Sequence, residues 1–200
     1  MSPTVTALRE RARGNAGQLR VEVELDGAAW RVLPAGAVVR AELRIGRPLD
    51  RETARRLARE VRREKALARA TRALAAQDRS RGELEARLAK AGITESARDE
   101  ALTALEAAGV VDDGRVAESR AAQLARRGYG DLAIRSDLRR RHIPAEAIAA
   151  ALEALEPESE RARRVVETHG ATPAILRRLA ARGFSRDTLE ELASVVAREA

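Results

Sequence analysis

Three ten-residue segments of this chain superimpose without a gap: LEARLAKAGI (84–93), IRSDLRRRHI (134–143) and ILRRLAARGF (175–184). Each is apolar at its first, fifth and last positions: Leu84, Leu88 and Ile93; Ile134, Leu138 and Ile143; Ile175, Leu179 and Phe184. A stripe at i and i+4 is one face of an α-helix, and the ninth residue (Gly92, His142 or Gly183) falls where a helix ends in the left-handed conformation. His142 stands where the other two segments have glycine, a conformation that histidine tolerates better than most side chains. Thr94, Pro144 or Ser185 then starts a further amphipathic helix. Those helices carry Leu102 and Leu105, then Ile148, Leu152 and Leu155, then Leu189, Leu192 and Val196. A helix also precedes each segment, in the C-terminal part of 51–77, at about 113–127 and at about 158–169. Asp112-Asp113 and Glu158-Ser159 supply caps and first-turn acids for the last two. The repeat therefore predicts three tandem three-helix units. One such unit is near the lower size limit for independent stability, so the units are expected to stack or to share their long helices.

The first fifty residues read differently. QLRVEVELDGAAWRVLP alternates Leu19, Val21, Val23 and Leu25 with Arg20, Glu22 and Glu24, turns at Asp26-Gly27, and resumes with Trp30 and Val32. That pattern predicts a β-hairpin with one buried face. VVRAELRIGRPLD is a further strand candidate, stopped by Gly46 and Pro48. Two or three strands need a helix to pack on, and the one beginning after the N-cap Asp50 is at hand. The expected division is a disordered tail (1–17), a β-hairpin segment (18–50), a long helix with the first repeat (51–109), a second repeat (110–156) and a third (157–200). The fold class expected is mainly α, with the three repeats forming an elongated curved array behind the hairpin.

Composition agrees. Aromatic residues make up only 2% of the chain, and a core of Leu, Ala, Val and Ile suits thin helical layers. There is no cysteine, which excludes disulfides and thiolate metal sites and points to a reducing cytoplasm. No apolar run is long enough to cross a bilayer, and the N-terminal stretch lacks a signal peptide's hydrophobic segment. A cytoplasmic protein is expected.

The chain offers little to catalysis. His142 stands in for a capping glycine and His169 lies beside Gly170 near a helix end. No phosphate-binding loop, dinucleotide fingerprint, zinc-protease or serine-hydrolase motif occurs. Asp112-Asp113 reads as a helix cap rather than a metal site. No enzyme activity, metal or cofactor is expected.

A binding surface remains. The net charge of +7 is unevenly spread: residues 55–81 carry +7 and residues 115–143 carry +5, with an acidic block of −5 between them. Alternating blocks suit a protein with a polyanion-facing side, although solvated helix faces give the same pattern. In RRGYGDLAIRSDLRRRH (126–142), arginines flank the only tyrosine of the chain. Ile134 and Leu138 face inward, which leaves Arg135 and Arg139, four apart, on one outer face. Asp137 can pair with Arg141 at i+4. Tyr129, between Gly128 and Gly130, either caps the helix pair with its ring buried or projects as an interface anchor. Packing is the better fit, since it fixes the turn between two helices. The candidate partner-binding residues are Arg115, Arg120, Arg126, Arg127, Tyr129, Arg135, Arg139 and Arg140.

GVVDDGRVAESRAAQLARRGYGDLAIRSDLRRRHI (109–143) resembles the central motif of the RecX family, regulators of the RecA recombinase. Asp112, Asp113, Arg115, Ala117, Arg120, Gly128, Tyr129, Gly130, Ile134, Leu138 and Ile143 fit that motif. RSRGELEARLAKAGI (79–93) resembles the element before it, with Arg79, Ser80, Glu83, Leu84, Leu88 and Gly92 in place. The resemblance covers residues 60–200 well and 18–50 loosely. Val110 and Val116 replace the usual aromatics and His142 the usual glycine, so the core is poorer in rings. The resemblance implies a non-enzymatic modulator, a monomer that lies in or along the groove of the RecA nucleoprotein filament. It would restrain ATPase, strand-exchange and co-protease activities, within DNA repair and the SOS response. Direct contact with single- or double-stranded DNA is attributed to some members of the family. The competing expectation, from the basic blocks alone, is a stand-alone nucleic-acid-binding protein.

Overall fold

The computed structural model of the chain describes residues 2–11, 19–170 and 172–199. These form three strands and ten helices, in two compact units: Met1–Asp78 with Leu84–Val110, and Arg79–Glu83 with Val111–Ala200.

The first unit opens on a three-stranded antiparallel sheet in the order β1-β2-β3, with β1 Val5–Arg11, β2 Arg20–Leu25 and β3 Ala28–Pro34. Asp26 and Gly27 both take positive φ, the two-residue hairpin turn that matches strand twist. Residues 1–17 were expected to be a disordered tail, and the structure corrects this: Val5–Arg11 is a strand, while residues 1 and 12–17 lie outside the described part. The arginines that make this stretch look like a solvated tail are cross-strand partners. Arg11 meets Glu22 at 2.6 Å and Arg9 meets Glu24 at 3.1 Å. The Asp26 turn fastens the strand's beginning, its carboxylate accepting from the Thr4 amide at 2.8 Å.

Two further expectations fail within this unit. Trp30 and Val32 do not share the buried face of Val21 and Val23. Val23 pairs Arg31 while Glu24 pairs Ala29, so Trp30 is the extra residue of a bulge and the alternation slips by one. Leu33 is buried instead, and Trp30 and Val32 are exposed. The stretch after Pro34 is not a strand but the helix α1 Ala35–Arg40, followed by turns and a single bridge from Thr4 to Pro48. Pro34 has no amide to donate and sits at the helix N-cap.

Helix α2, Arg51–Leu74, starts at Asp50, whose carboxylate accepts from the Thr53 amide at 2.7 Å. Its N-terminal half packs Leu57 and Val61 into the sheet core with Val5, Val23, Leu33, Val38 and Leu43. Farther along, Ala66, Ala70 and Ala73 are buried on a different side of the helix, and α2 packs on α4, Glu95–Ala107. Arg40 holds Glu60 and Glu64 of α2, which raise its pKa further against the opposing effect of burial.

The second unit contains α5 Asp113–Arg126, α6 Asp131–Arg140, α7 Ala145–Glu153, α8 Glu158–His169, α9 Pro173–Ala181 and α10 Arg186–Glu199. The side chain of Val196, expected in the apolar stripe of α10, lies outside the described part. Each repeated segment is a helix closed by the same paired backbone bonds. In α6 the His142 amide donates to the Arg139 carbonyl at 2.9 Å and the Ile143 amide to the Leu138 carbonyl at 3.2 Å. Gly183 and Phe184 close α9 in the same way, and Gly92 and Ile93 close α3, Arg81–Lys90. The apolar residue that follows the left-handed position (Ile93, Ile143 or Phe184) is buried against the helix it terminates. His142 takes φ 56, as a capping glycine would.

Candidate partner-binding surface

Gly128, at φ 78, ends α5, and the Tyr129 amide returns to the Leu124 carbonyl at 3.2 Å. This throws the Tyr129 ring back onto the core made by Val116, Leu124, Ile134, Leu138 and Ile148. The ring is half-buried, with the guanidinium of Arg127 at 5.9 Å and that of Arg182 at 5.8 Å from its centroid. Tyr129 is therefore a packing residue with a cationic cover, the first of its two sequence readings.

The arginines separate into committed and free. Arg120 grips Asp137 with two bonds, Nε to Oδ2 at 2.8 Å and Nη2 to Oδ1 at 3.1 Å, which ties α5 to α6. Arg141 adds a bond to the same carboxylate at 3.3 Å and reaches Glu83 at 3.2 Å. The hydrogen bond from Arg120, and then the charges of Arg120 and Arg141, hold the Asp137 carboxyl below its usual range despite desolvation. Arg120 is thus part of the scaffold. Arg140 is largely exposed, donates to the Ser136 hydroxyl at 3.1 Å and reaches Asp137 at a longer 3.4 Å. Arg115 is exposed and has an interaction of its own. Arg126 and Arg139 are exposed and have no hydrogen-bond or ion-pair partner among the described residues, while Arg135 is half-buried and acts on the Asp131 carboxylate by charge alone, without a hydrogen bond.

A second network holds the 128–132 turn against the end of α9. The Gly130 amide donates to the Arg182 carbonyl and the Leu132 amide to the Gly183 carbonyl, both at 3.0 Å. Arg182 donates to the Arg127 carbonyl at 3.0 Å. Arg161, almost fully buried, donates to the Tyr129 carbonyl at 2.9 Å and pairs with Asp131. Glu158, expected as a cap or first-turn acid, lies in the first turn of α8, and its carboxylate also reaches across to the Asp131 amide, to Ser185 and to Thr188. Burial opposes its ionisation, yet the bonds from Ser185, the Asp131 amide and Thr188 win and its pKa falls. Asp131 moves the other way, raised chiefly by desolvation.

The contact at residues 80–82 is of the same kind. Ser80 aligns with Gly130 and donates to the carbonyl of Arg141, the counterpart of Arg182. Gly82 lies against His142, and Asp113 accepts from the Arg81 amide at 2.7 Å. Asp112 caps α5 through the Arg115 amide at 2.9 Å. The acidic pair thus serves as a cap and a dock.

The sequence singles out neither Arg161 nor Arg182, and it does not show the reach of Glu158 beyond its own helix. Their partners lie 27 to 55 residues away, beyond any helical spacing. Among the described residues no group of three His, Asp or Glu side chains is placed to hold a metal, and no helix is long and apolar enough to cross a membrane.

Two family models match the chain: the first three-helix domain of RecX over residues 66–105 and the second over 112–152. A regulatory protein RecX from Stenotrophomonas maltophilia (strain R551-3) is 35% identical over 126 residues, 58% of this chain and 77% of that relative. The chain belongs to the RecX family. A regulatory protein RecX from Mycobacterium leprae (strain Br4923) is 32% identical over 138 residues, 60% of this chain and 79% of the relative. Two solved structures show the same fold. A crystal structure of regulatory protein RecX superposes with a TM-score of 0.79 at 20% identity, covering 96% of this chain and 99% of the other. RecX from Lactobacillus salivarius superposes with a TM-score of 0.58 at 21% identity, covering 68% and 97%. The second RecX domain match spans the α5–α7 bundle, which holds Arg120, Asp137 and the Tyr129 turn.

Proposed function

We propose that this RecX-family chain binds the RecA nucleoprotein filament and inhibits its ATPase, strand-exchange and co-protease activities, acting in homologous recombination and the SOS response without catalysis of its own. The observation that carries this reading is the division of the arginines around one turn. Arg120, Arg141 and Arg161 are consumed by carboxylates and carbonyls of the fold, whereas Arg126 and Arg139 have no such partner and Arg135 has only the charge of Asp131, one turn back on its helix, near it. An unsatisfied guanidinium on a rigid helix surface loses little entropy on meeting an acidic group, and it pairs with carboxylate or phosphate in a fixed geometry. Tyr129 and Arg127 contribute by fixing the turn that presents these helices.

The expected result is tighter binding to RecA-coated single-stranded DNA than to the same strand bare, measured by fluorescence anisotropy at physiological salt. Changing Arg135 and Arg139 to alanine should weaken the coated-strand affinity by about tenfold or more. Equal affinity for coated and bare strands would remove the reading's support.

A further inference from the structure

A groove in the second unit lies between two helix faces that do not fill it. On α8, Arg161, Arg164, Val165, Thr168 and His169 recur at i, i+3, i+4, i+7 and i+8, one face of a helix. On α5 the lining residues are Ala122, Ala125 and Arg126, at i, i+3 and i+4. Alanine is too short to reach across, and a space of about 520 Å³ remains, within the range of small-molecule sites. Its apolar walls are Ala122, Ala125, Leu155, Val165 and the ring of Phe184. The polar groups of the lining are mostly occupied by the fold itself. The Glu156 carbonyl accepts from Arg161 at 3.0 Å, the Arg164 carbonyl from the Thr168 hydroxyl at 2.8 Å, and the Val165 carbonyl from Nδ1 of His169 at 3.1 Å. Arg161 turns its other nitrogens to the Tyr129 carbonyl and Asp131, and Arg164 pairs with the Glu156 carboxylate. Arg126 is the exception. It stands exposed in the last turn of α5 with no hydrogen-bond or ion-pair partner among the described residues.

We infer that this groove binds a small amphipathic anion, a medium-chain carboxylic acid with its apolar body against Leu155, Val165 and Phe184 and its carboxylate at Arg126. The ion pairs match the charges of Arg161 and Arg164, so one lining cation is left over and a single carboxylate suits it. A hydrocarbon chain gains by leaving water and brings no polar group that the walls would have to satisfy. A polypeptide segment is a poorer match. The carbonyls of the lining already hold their donors, so its amides would be buried unpaired. The site shares Arg126 with the proposed partner surface, but it does not rest on that reading and its test uses no recombinase.

Isothermal titration of the full chain with sodium decanoate, kept below its micelle-forming concentration, reads the groove directly. Saturable binding of one decanoate per chain is expected, with a dissociation constant of about 0.1 mM. Decanol keeps the hydrocarbon and lacks the charge, and it should bind about tenfold more weakly or worse. Arg126→Gln should lower the decanoate affinity by about tenfold. Ala122→Leu places a larger side chain of similar helix propensity in the groove, and it should abolish binding while the unfolding temperature holds or rises. Four results would each overturn the inference: no saturable decanoate binding, decanol binding as tight as decanoate, affinity unchanged in either variant, or tighter binding of an acetylated peptide that ends in a leucine carboxylate. The first, second and last need no variant, so they decide the matter even if Ala122→Leu fails to fold.

Discussion

Replacing Gly130 with alanine should destabilise the second unit by about 3 kcal/mol, at the upper end of overpacking costs. Gly130 is at an ordinary φ, so backbone strain is not the reason. A Cβ there would lie 2.3 Å from the Gly183 carbonyl oxygen and 2.3 Å from the Phe184 amide nitrogen. Both are backbone atoms, and both belong to the turn that closes α9 through the Gly183 and Phe184 amides. Neither can rotate away as a side chain could. The 128–132 turn would have to retreat, breaking its bonds to the Arg182 and Gly183 carbonyls. Urea denaturation measures the effect, with Gly92→Ala as the control: a Cβ there meets nothing, and only the left-handed conformation at φ 72 adds strain, about 1 kcal/mol. Equal losses in the two variants would mean that the turn-to-turn contact contributes nothing.

Asp137→Asn should cost about 2 kcal/mol near neutral pH, because it leaves Arg120 and Arg141 half-buried with a neutral partner. The effect has a pH signature. The folded-state pKa of Asp137 is depressed below the unfolded value, so its contribution is complete above about pH 4 and is lost as pH falls through the lower, folded value. The stability difference between parent and variant should therefore shrink on acidification below about pH 4, as the protonated parent comes to resemble the amide. Asp131 works in the opposite sense. Its raised folded pKa favours the native state at low pH, and that contribution is lost as pH rises through the folded value. A difference that stayed constant from neutral to strongly acidic pH would remove the Asp137 network from the ledger of native-state charge pairs.

The periodic apolar residues carried most of the helical architecture. Leu84, Leu88 and Ile93 and their two sets of counterparts marked three helices and their closing turns, because a helix end needs a left-handed residue and a buried residue after it. Local rules failed where a residue's partner is distant. The strand Val5–Arg11 looked like a polar tail because Arg9 and Arg11 are matched only by glutamates of β2. The slip at Trp30 depends on a bulge that alternation cannot show. Among the arginines, Asp137 with Arg141 was legible at i+4, but the stronger bond from Arg120 spans 17 residues. Composition cannot say which arginine of a cluster is consumed by the fold. That sorting needs three dimensions, and in the second unit it leaves Arg126 and Arg139 unpaired and Arg135 with only the nearby charge of Asp131.

Restraint of a RecA filament, as proposed above, can be read from ATP hydrolysis by RecA on single-stranded DNA titrated with this chain. Saturable inhibition is expected, with about tenfold more of the Arg135→Ala, Arg139→Ala double variant needed to reach the same extent. Hydrolysis that continued undiminished at saturating concentrations of the chain would contradict it.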